Sequence, residues 1–200
     1  MSGQVDREIV ERVTAGELTA AERRACGEMI FRALPQFYGL LPLPRDAVCD
    51  ILGGQIGLGG TEMEEAYVLR CRGAILATLT AVPADRLAAA KKSGLFGLLR
   101  HVPRSLELTR SMAAFEGRVC PAPLDGLYLA RLGVTNDKGA VGSGARLLRN
   151  VLAQRAEQRF SLHVHRANPA AWLYGKMGFE YLPQDQYEFR CMVLDRTAAD

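Results

Sequence analysis

The feature that most constrains the fold is a strand that runs through a glycine-rich turn into a helix, in residues 127–152 (LYLARLGVTNDKGAVGSGARLLRNVL). The apolar residues of 127–134 predict the strand, and an apolar repeat predicts a helix from Gly142 to about Arg159. The first amide groups of a helix lack partners and carry partial positive charge, and glycines let a ligand approach the backbone closely. The glycines between 139 and 144 therefore form a candidate phosphate site, with a purely structural turn as the alternative. Their spacing matches neither the Rossmann pattern nor the P-loop.

A second strand–helix unit follows in residues 162–182 (LHVHRANPAAWLYGKMGFEYL). The strand 160–165 leads through Asn168 into a short helix, from Pro169 to about Met177, which carries Tyr174. Asparagine and proline are common at helix starts, so a simple cap is one interpretation of Asn168. A half-buried aromatic side chain on an amphipathic helix is the corresponding interpretation of Tyr174.

Together, the two units resemble the GNAT superfamily of N-acetyltransferases. In that family a Gln/Arg-x-x-Gly-x-Gly/Ala loop follows a valine that closes a strand, and Val134 is the matching valine here. The matching loop residues are Gly139, Ala140, Val141, Gly142, Ser143, Gly144 and Ala145. A later family pattern runs from an asparagine to a Gly-Phe pair, and the residues that match it are Asn168, Ala171, Leu173, Tyr174, Gly178 and Phe179.

Two loop positions depart from the family pattern. Gly139 replaces the usual glutamine or arginine, and Ser143 stands where an aliphatic residue is usual. One side-chain contact near the phosphates is then either missing or supplied by Lys138, whereas the backbone amide groups are retained.

The resemblance implies transfer of an acyl group, usually acetyl, from coenzyme A to a primary amine. It implies that the strands 127–134 and 160–165 splay apart and leave a gap between them. The pantetheine arm of CoA would lie in that gap and pair with the backbone of Leu132 and Val134. The pyrophosphate would lie on the amide groups of 139–145.

The resemblance also assigns roles to individual side chains. Asn168 would contact the CoA arm, and Tyr174 would direct its hydroxyl group at the thioester sulfur as a catalytic residue. Basic side chains near the loop, with a solvated helix face as their alternative role, could neutralise the nucleotide phosphates: Arg146, Arg149 and Lys176.

The group that takes a proton from the amine is not identified by the sequence. An alkyl amine has a pKa near 10.4, so it is almost fully protonated at neutral pH and some group must accept its proton. Many family members use a carboxylate on the strand before the loop, and LYLARLGV contains none. The candidate bases are His163, His165, Glu188 and Asp125.

The composition is that of an ordinary globular protein, with 200 residues, 48% hydrophobic residues, 24% charged residues and a net charge of +3. These values exclude a disordered, collagen-like or coiled-coil chain. The small positive excess does not favour nucleic acid or an anionic membrane as a partner. No apolar run approaches the ~18–20 residues of a membrane span. The N-terminus MSGQVDREIVERV has no apolar signal region, so we expect a cytoplasmic protein.

The cysteines and histidines do not indicate a metal. The five cysteines are widely spaced and form no C-x-x-C pair, which favours reduced and mostly buried thiols. His163 and His165 share one face of a strand, but the nearby sequence offers no third ligand. We therefore expect no metal.

The order of the predicted elements indicates an α/β fold in a single domain, residues 1–200. We expect a central mixed, mostly antiparallel sheet flanked by helices. A capping box at Thr19 and Glu22 predicts one helix start, and a second short helix is predicted from Pro44 to about Leu52. The glycine-rich segment 53–60 is predicted to be a flexible loop. The remaining predicted strands are 8–13, 66–72, 74–82 and 187–194.

Residues 83–118 form a predicted helical insertion between the third and fourth strands. We expect the helices to be interrupted at Gly94, Gly97 and Pro103. The segment is either a packed cover with a solvated basic face or a lid that shapes the acceptor pocket.

These patterns predict an acetyl-CoA-dependent N-acetyltransferase, with acetyl-CoA as the acyl donor. The acceptor is a primary amine of an unidentified small molecule or peptide. A non-catalytic acyl-CoA-binding sensor is the alternative, and a nucleotide-binding protein of another class is a weaker third. The sequence leaves the oligomeric state open, with a homodimer as the alternative to a monomer.

Overall fold

A seven-stranded sheet forms the centre of the computed structural model, which describes residues 8–14, 16–103 and 105–197. The N-terminal segment 1–7, on which part of the signal-peptide argument depends, lies outside these residues. The strands are β1 (Ile9–Val13), β2 (Glu65–Cys71), β3 (Ala74–Pro83), β4 (Leu127–Val134), β5 (Arg159–His165), β6 (Glu180–Tyr181) and β7 (Phe189–Asp195).

The helices lie on both faces of this sheet. They are α1 (Ala20–Ala33), α2 (Pro35–Tyr38), α3 (Arg45–Gln55), α4 (Leu87–Leu99), α5 (Leu106–Glu116), α6 (Ser143–Gln154) and α7 (Ala170–Lys176). No helix in the described part of the chain combines the length and apolarity needed to cross a bilayer.

The strand order is β1-β2-β3-β4-β5-β7-β6. Neighbouring strands are antiparallel except β4 and β5, which are parallel. The expected α/β fold with a mixed, mostly antiparallel sheet is therefore confirmed. The predictions missed the four-residue α2 and the two-residue β6, which are too short to produce a periodic signal.

The strands β4 and β5 separate soon after they begin. They pair at Leu127 with Phe160 and at Tyr128 with Ser161, and the described strands form no further pairs beyond these. The gap that the family resemblance implies is present at this point in the sheet. Backbone groups on the facing edges are left without a neighbouring strand, and such groups require water or a ligand as partners.

The sheet separates two apolar clusters, because successive side chains of a strand point to opposite faces. In β2, Val68 belongs to the cluster with α1 and α3, whereas Leu69 belongs to the cluster with α6. Helix α5 lies on the α1 side and contributes Met112 and Phe115. The two helices between β3 and β4 therefore extend the layer formed by α1 and α3.

The position of α1 is fixed by close backbone contacts. It begins at the predicted capping box, where Thr19 accepts a hydrogen bond from the Glu22 amide at 3.3 Å. A side-chain carbon at Gly27 or Gly53 would overlap the backbone of the facing helix, so α1 and α3 pack with almost no space between them. A carbon at Gly133 would lie 2.6 Å from the backbone of Met29, so α1 also lies directly on β4.

The helix interruptions predicted at Gly94 and Gly97 are wrong, and so is the loop predicted to begin at Gly53. Helix α3 continues through Gly53 to Gln55, inside the segment predicted as a flexible loop, and α4 is continuous through Gly94 and Gly97. The Gln55 side chain donates to the Gly94 carbonyl at 3.2 Å, and a carbon at Gly97 would lie 2.8 Å from its Nε2. These glycines allow helices to approach one another rather than ending them. The break at Pro103 is confirmed, between α4 and α5.

Candidate functional site

A cavity of about 640 Å³ opens where β4 and β5 part. One part of its wall, which we call the strand gap, is formed by Leu132, Val134, Val164, Asn168 and Tyr174. Another part, which we call the covered wall, is formed by Gln55, Glu62, Lys91, Leu95, Phe115 and Glu116. The covered wall includes residues of α4 and α5, so the segment 83–118 does contribute to the cavity.

Tyr174 lines the cavity from α7, and its hydroxyl group has no hydrogen-bond partner among the described residues. Its ring packs edge-on against Phe179, with the ring centroids 6.1 Å apart. Burial raises the pKa of Tyr174 to about 12, so the phenol keeps its proton at neutral pH. An unpaired phenol in this state can donate a hydrogen bond or a proton to a ligand in the cavity.

The sequence allows two roles for Asn168, a contact at the start of a helix and a contact with a ligand, and its position is compatible with both. Its Oδ1 accepts a hydrogen bond from the Ala170 amide at 2.9 Å, which is the contact of a helix cap. The residue is exposed and also lines the cavity. The cap therefore does not remove Asn168 from the site.

The glycine turn divides into an open part and a packed part. Gly142 has a φ of 78°, in the left-handed region, and α6 begins after it without a side-chain cap. A side-chain carbon at Gly139 would meet no atom within 4 Å. Ser143 and Gly144 are buried, and a carbon at Gly144 would lie 2.9 Å from a methyl carbon of Val134. The helix end is thus open for an anion on the Gly139 side and packed on the sheet at Gly144.

The basic side chains near this turn differ in how far other groups of the protein already engage their charges. Arg146 donates to both carboxylate oxygens of Glu8, at 2.6 and 2.7 Å, and to the Val141 carbonyl at 3.0 Å. The Lys176 ammonium lies over the Trp172 ring, 5.7 Å from its centroid, and Arg149 is exposed. The Lys138 side chain lies outside the described side chains.

Arg32 is a cation of the strand gap that the sequence motifs did not indicate. Its guanidinium donates to the Val134 carbonyl at 2.9 Å and lines the cavity. It comes from α1, about a hundred residues before β4, so only the packing of α1 on Gly133 brings it to this position.

His163 is one of two proposed bases that line the cavity. Its Nε2 lies 2.6 Å from the Cys120 carbonyl, which can only accept, so the ring proton is on Nε2. Its Nδ1 therefore accepts from the Tyr128 hydroxyl at 2.8 Å. Burial, together with the nearby positive charge of Lys91, lowers the pKa of His163 to about 4. The ring is neutral at pH 7 and both of its nitrogens are engaged.

The other three proposed bases differ in position. His165 lines the cavity, and its Nε2 lies 3.9 Å from Glu188. Glu188 itself is not part of the cavity wall. Asp125 is exposed and paired with Arg159 at 2.7 Å, also outside the wall. The structure thus brings the two histidines to the cavity and leaves the two carboxylates outside it.

Two carboxylates of the covered wall were missed by the sequence analysis. Glu62 is buried and forms an ion pair with Arg131 of β4, whose Nε also donates to the Tyr38 hydroxyl at 3.0 Å. Glu116, at the end of α5, is exposed at the cavity and has no ion-pair partner among the described residues. Both come from segments remote from the two motifs, and no local pattern marks them.

A potential metal-ligand cluster lies behind this wall. The ligand atoms of Cys120, His163 and Cys191 lie within 4.8 Å of one another, and both cysteines come from segments remote from His163 in the sequence. Burial raises the pKa of both thiols, that of Cys191 to about 12, and both nitrogens of His163 are hydrogen-bonded. The thiols keep their protons and the His163 ring is bonded to the Cys120 carbonyl and the Tyr128 hydroxyl, and the absence of a metal stays a prediction.

No protein-family model matches the sequence, and no curated protein matches it. Solved structures do match over nearly the whole chain. An N-acetyltransferase from Staphylococcus aureus Mu50 has a TM-score of 0.66 at 14% identity, covering 93% of this chain and 100% of its own. A second acetyltransferase has a TM-score of 0.63 at 15% identity, covering 94% and 98%. The chain has the GNAT acetyltransferase fold.

A third structure with this GNAT fold has a named acceptor. It is a polyamine N-acetyltransferase of Drosophila melanogaster that forms N-acetylagmatine, with a TM-score of 0.53 at 17% identity, covering 94% of this chain and 100% of its own. At such low identities the GNAT likeness concerns the arrangement of the chain.

Proposed function

We propose that the protein transfers an acetyl group from acetyl-CoA to a primary amine. The observation that carries the proposal is the protonated and unpaired Tyr174 hydroxyl in the cavity between the separating strands. A thioester needs a proton for its departing sulfur, and this phenol holds one.

The protein surface fits acetyl-CoA as the acyl donor. The strand gap leaves an edge of β4 at Leu132 and Val134 with no strand beside it, where the amides of an extended pantetheine arm could pair with backbone groups that Arg32 does not occupy. The uncapped start of α6 and the open space at Gly139 suit a pyrophosphate, for which residues 139–145 would supply amide groups. Asn168 and Arg32 line the gap between these two regions and would contact the arm.

The acceptor amine would approach from the covered wall. Its ammonium form cannot attack a carbonyl carbon, so a base must take one proton first. His163 is a weak base because its pKa lies near 4, and the Glu62 carboxylate is committed to Arg131. Glu116 is the cavity carboxylate without an ion-pair partner among the described residues, and we assign it the proton, directly or through water.

Tyr174 then completes the transfer. As the carbon–nitrogen bond forms and the carbon–sulfur bond breaks, the electron pair of the carbon–sulfur bond goes to sulfur, and the new amide nitrogen releases its second proton to water. Tyr174 donates its proton to the sulfur and recovers one from solvent after the CoA thiol leaves. The alternative function, a sensor that binds acyl-CoA without turnover, does not need a proton donor at this position.

Two measurements on one sample test the proposal. Acetyl-CoA at one hundred times its Kd should stabilise the protein by about 2.7 kcal/mol, which raises Tm by roughly 5–10 °C for a domain of this size. Free CoA thiol should then appear when primary amines are added. Stabilisation without thiol release from any amine would indicate the sensor, and no stabilisation at millimolar ligand would contradict both functions.

A further inference from the structure

We infer that the acceptor is an α-amino acid with an apolar side chain, whose carboxylate is bound by Lys91 and whose ammonium group is bound by Glu116. The inference rests on the proposed function, because it concerns the second substrate of the same cavity. Two observations carry it: which charged side chains line the cavity, and which of them have no hydrogen-bond or ion-pair partner among the described residues.

Most charged side chains of the cavity are already paired within the protein. Arg131 and Glu62 form an ion pair, and Arg32 donates to the Val134 carbonyl at 2.9 Å. His165 lies 3.9 Å from Glu188. Each of these groups has a partner whether or not a ligand is present.

Lys91 and Glu116 are the exceptions among the described residues of this wall. Neither side chain forms a hydrogen bond or ion pair with another described residue, although both residues line the cavity. Lys91 projects from α4 and is half-buried, and its charge acts on His163. Glu116 projects from α5, and its charge acts on Tyr128. Lys91 and Glu116 line the same cavity as the hydrogen-bonded pair of Tyr128 and His163, so one ligand in the cavity can meet both charges.

The surroundings of these charges are apolar, which makes an unpaired charge costly. Leu95, Leu98, Phe115 and Val119 line the same part of the cavity. The half-buried Lys91 ammonium is poorly solvated among such groups and gains most from a ligand of opposite charge, whereas Glu116 is exposed. The same side chains offer a surface for a hydrocarbon body on the ligand.

The signs of the two charges select the ligand class. A simple amine would bring a second positive charge to a wall that already holds the unpaired Lys91. A zwitterion places a negative group at Lys91 and a positive group at Glu116, so both charges are paired at once. A lysine ammonium is a compact point charge with three donors and can bind the carboxylate of such a zwitterion.

Matched acceptors provide the first test. L-Phenylalanine, L-phenylalaninamide and phenethylamine share the ring and the amine but differ in the carboxylate. The kcat/KM for phenylalanine should exceed that for the other two by at least about 10-fold, the usual effect of one hydrogen bond to a charged group. The amide has the more easily deprotonated amine, so chemistry alone would favour the opposite order. The remaining common α-amino acids are assayed beside their amides.

Variants of α4 provide the second test. Lys91→Met keeps the length of the side chain and removes the charge, and it should lower kcat/KM for phenylalanine about 10- to 100-fold without affecting phenylalaninamide. Lys92→Met is the matched control, because Lys92 is exposed on the same helix and does not line the cavity. Both variants should bind acetyl-CoA like the wild type.

The outcomes separate this inference from the proposed function. Wild-type protein that binds acetyl-CoA but prefers the amine or the amide overturns the acceptor assignment and leaves acetyl transfer intact. Failure to acetylate any common α-amino acid, or an equal loss with acid and amide in Lys91→Met, also overturns it. Failure to bind acetyl-CoA overturns the proposed function itself.

Discussion

At the scale of single residues, the proposed function depends on the Tyr174 hydroxyl as the proton donor. Replacing it with phenylalanine removes one oxygen and keeps the ring that packs on Phe179. We expect Tyr174→Phe to lower kcat by at least about 10-fold, because general acid catalysis contributes typically 10²–10⁴-fold. The Kd for acetyl-CoA should stay within a few-fold of the wild type, since the lost group acts on the departing sulfur. Steady-state kinetics and calorimetry measure the two quantities.

Tyr181→Phe is the control for that variant. Tyr181 is a 37% exposed tyrosine on β6 and is not part of the cavity wall. Its replacement should leave kcat unchanged. An unchanged kcat in Tyr174→Phe, with the chemical step limiting the rate, would assign Tyr174 a purely structural role.

The residues that the sequence could identify are those whose signal is local. Tyr174 and Asn168 belong to one short strand–helix unit, and the structure places both on the cavity. Arg32, Glu62, Lys91 and Glu116 reach the same cavity from α1, the segment before β2, α4 and α5. Their positions depend on helix packing over long sequence separations, for which a single sequence gives no periodic signal.

At the scale of elements, the turn before α6 can be tested without damaging the fold. A side chain at Gly139 points into open space, so Gly139→Val should leave Tm within a few degrees of the wild type. The branched carbons would occupy the region where a pyrophosphate approaches the amide groups. We expect the Kd for acetyl-CoA to rise by at least about 10-fold, the effect of losing one or two charge-assisted hydrogen bonds. Calorimetric titration gives both the affinity and the stoichiometry.

The choice of glycine matters for this experiment. A side chain at Gly142 would be strained by the positive φ, and one at Gly144 would press on Val134, so either change perturbs α6 itself. Gly59→Val is the control, because Gly59 is exposed in a loop and also has open space around it. Wild-type affinity in folded Gly139→Val would remove the turn from the nucleotide site.

The boundaries of an element could be predicted from the sequence where the residues of the element itself carry the signal. The strand β4 was predicted with the bounds that the structure has, and the hairpin of β2 and β3 was predicted to within a residue or two. The errors at Gly53, Gly94 and Gly97 arose because the conformational freedom of glycine was taken as a sign that a helix ends there. At Gly53 a neighbouring backbone and at Gly97 a neighbouring side chain leaves little space for a side-chain carbon, and only the tertiary structure shows that neighbour.

At the scale of the whole molecule, His163 links stability to pH. Its pKa is about 4 in the folded protein and about 6.5 when unfolded, so between these values the unfolded state holds more protons. Stability therefore rises with pH across this window and is lost as pH falls from about 6.5 to 4. The contribution of His163 amounts to roughly 3 kcal/mol over the full window. Urea denaturation at a series of pH values measures the free energy of unfolding.

A histidine variant isolates this effect from other titrations. In His163→Gln the slope between pH 6.5 and 4.5 should become nearly flat, whereas in the exposed His101→Gln it should persist. Glu22 and Asp195 have pKa values lowered to about 2, the first mainly by the Thr19 amide and the second mainly by Thr197, so their stabilisation is lost only at more acidic pH. A wild-type slope that survives in His163→Gln would show that His163 is not held neutral.

The early separation of β4 and β5 has a mechanical consequence. Two residue pairs, Leu127–Phe160 and Tyr128–Ser161, connect the part of the sheet formed by β1, β2, β3 and β4 to the part formed by β5, β7 and β6. They form a short connection at one end of the two facing strands. Beyond this connection, no ladder in the described strands sets the width of the opening, so that width depends on the side chains that line it. Changes at Leu132 or Leu162 can then widen or narrow the opening without removing any hydrogen bond between strands. Under the proposed function, the size of the acyl group that fits would be adjustable without any change to the pairing of the sheet.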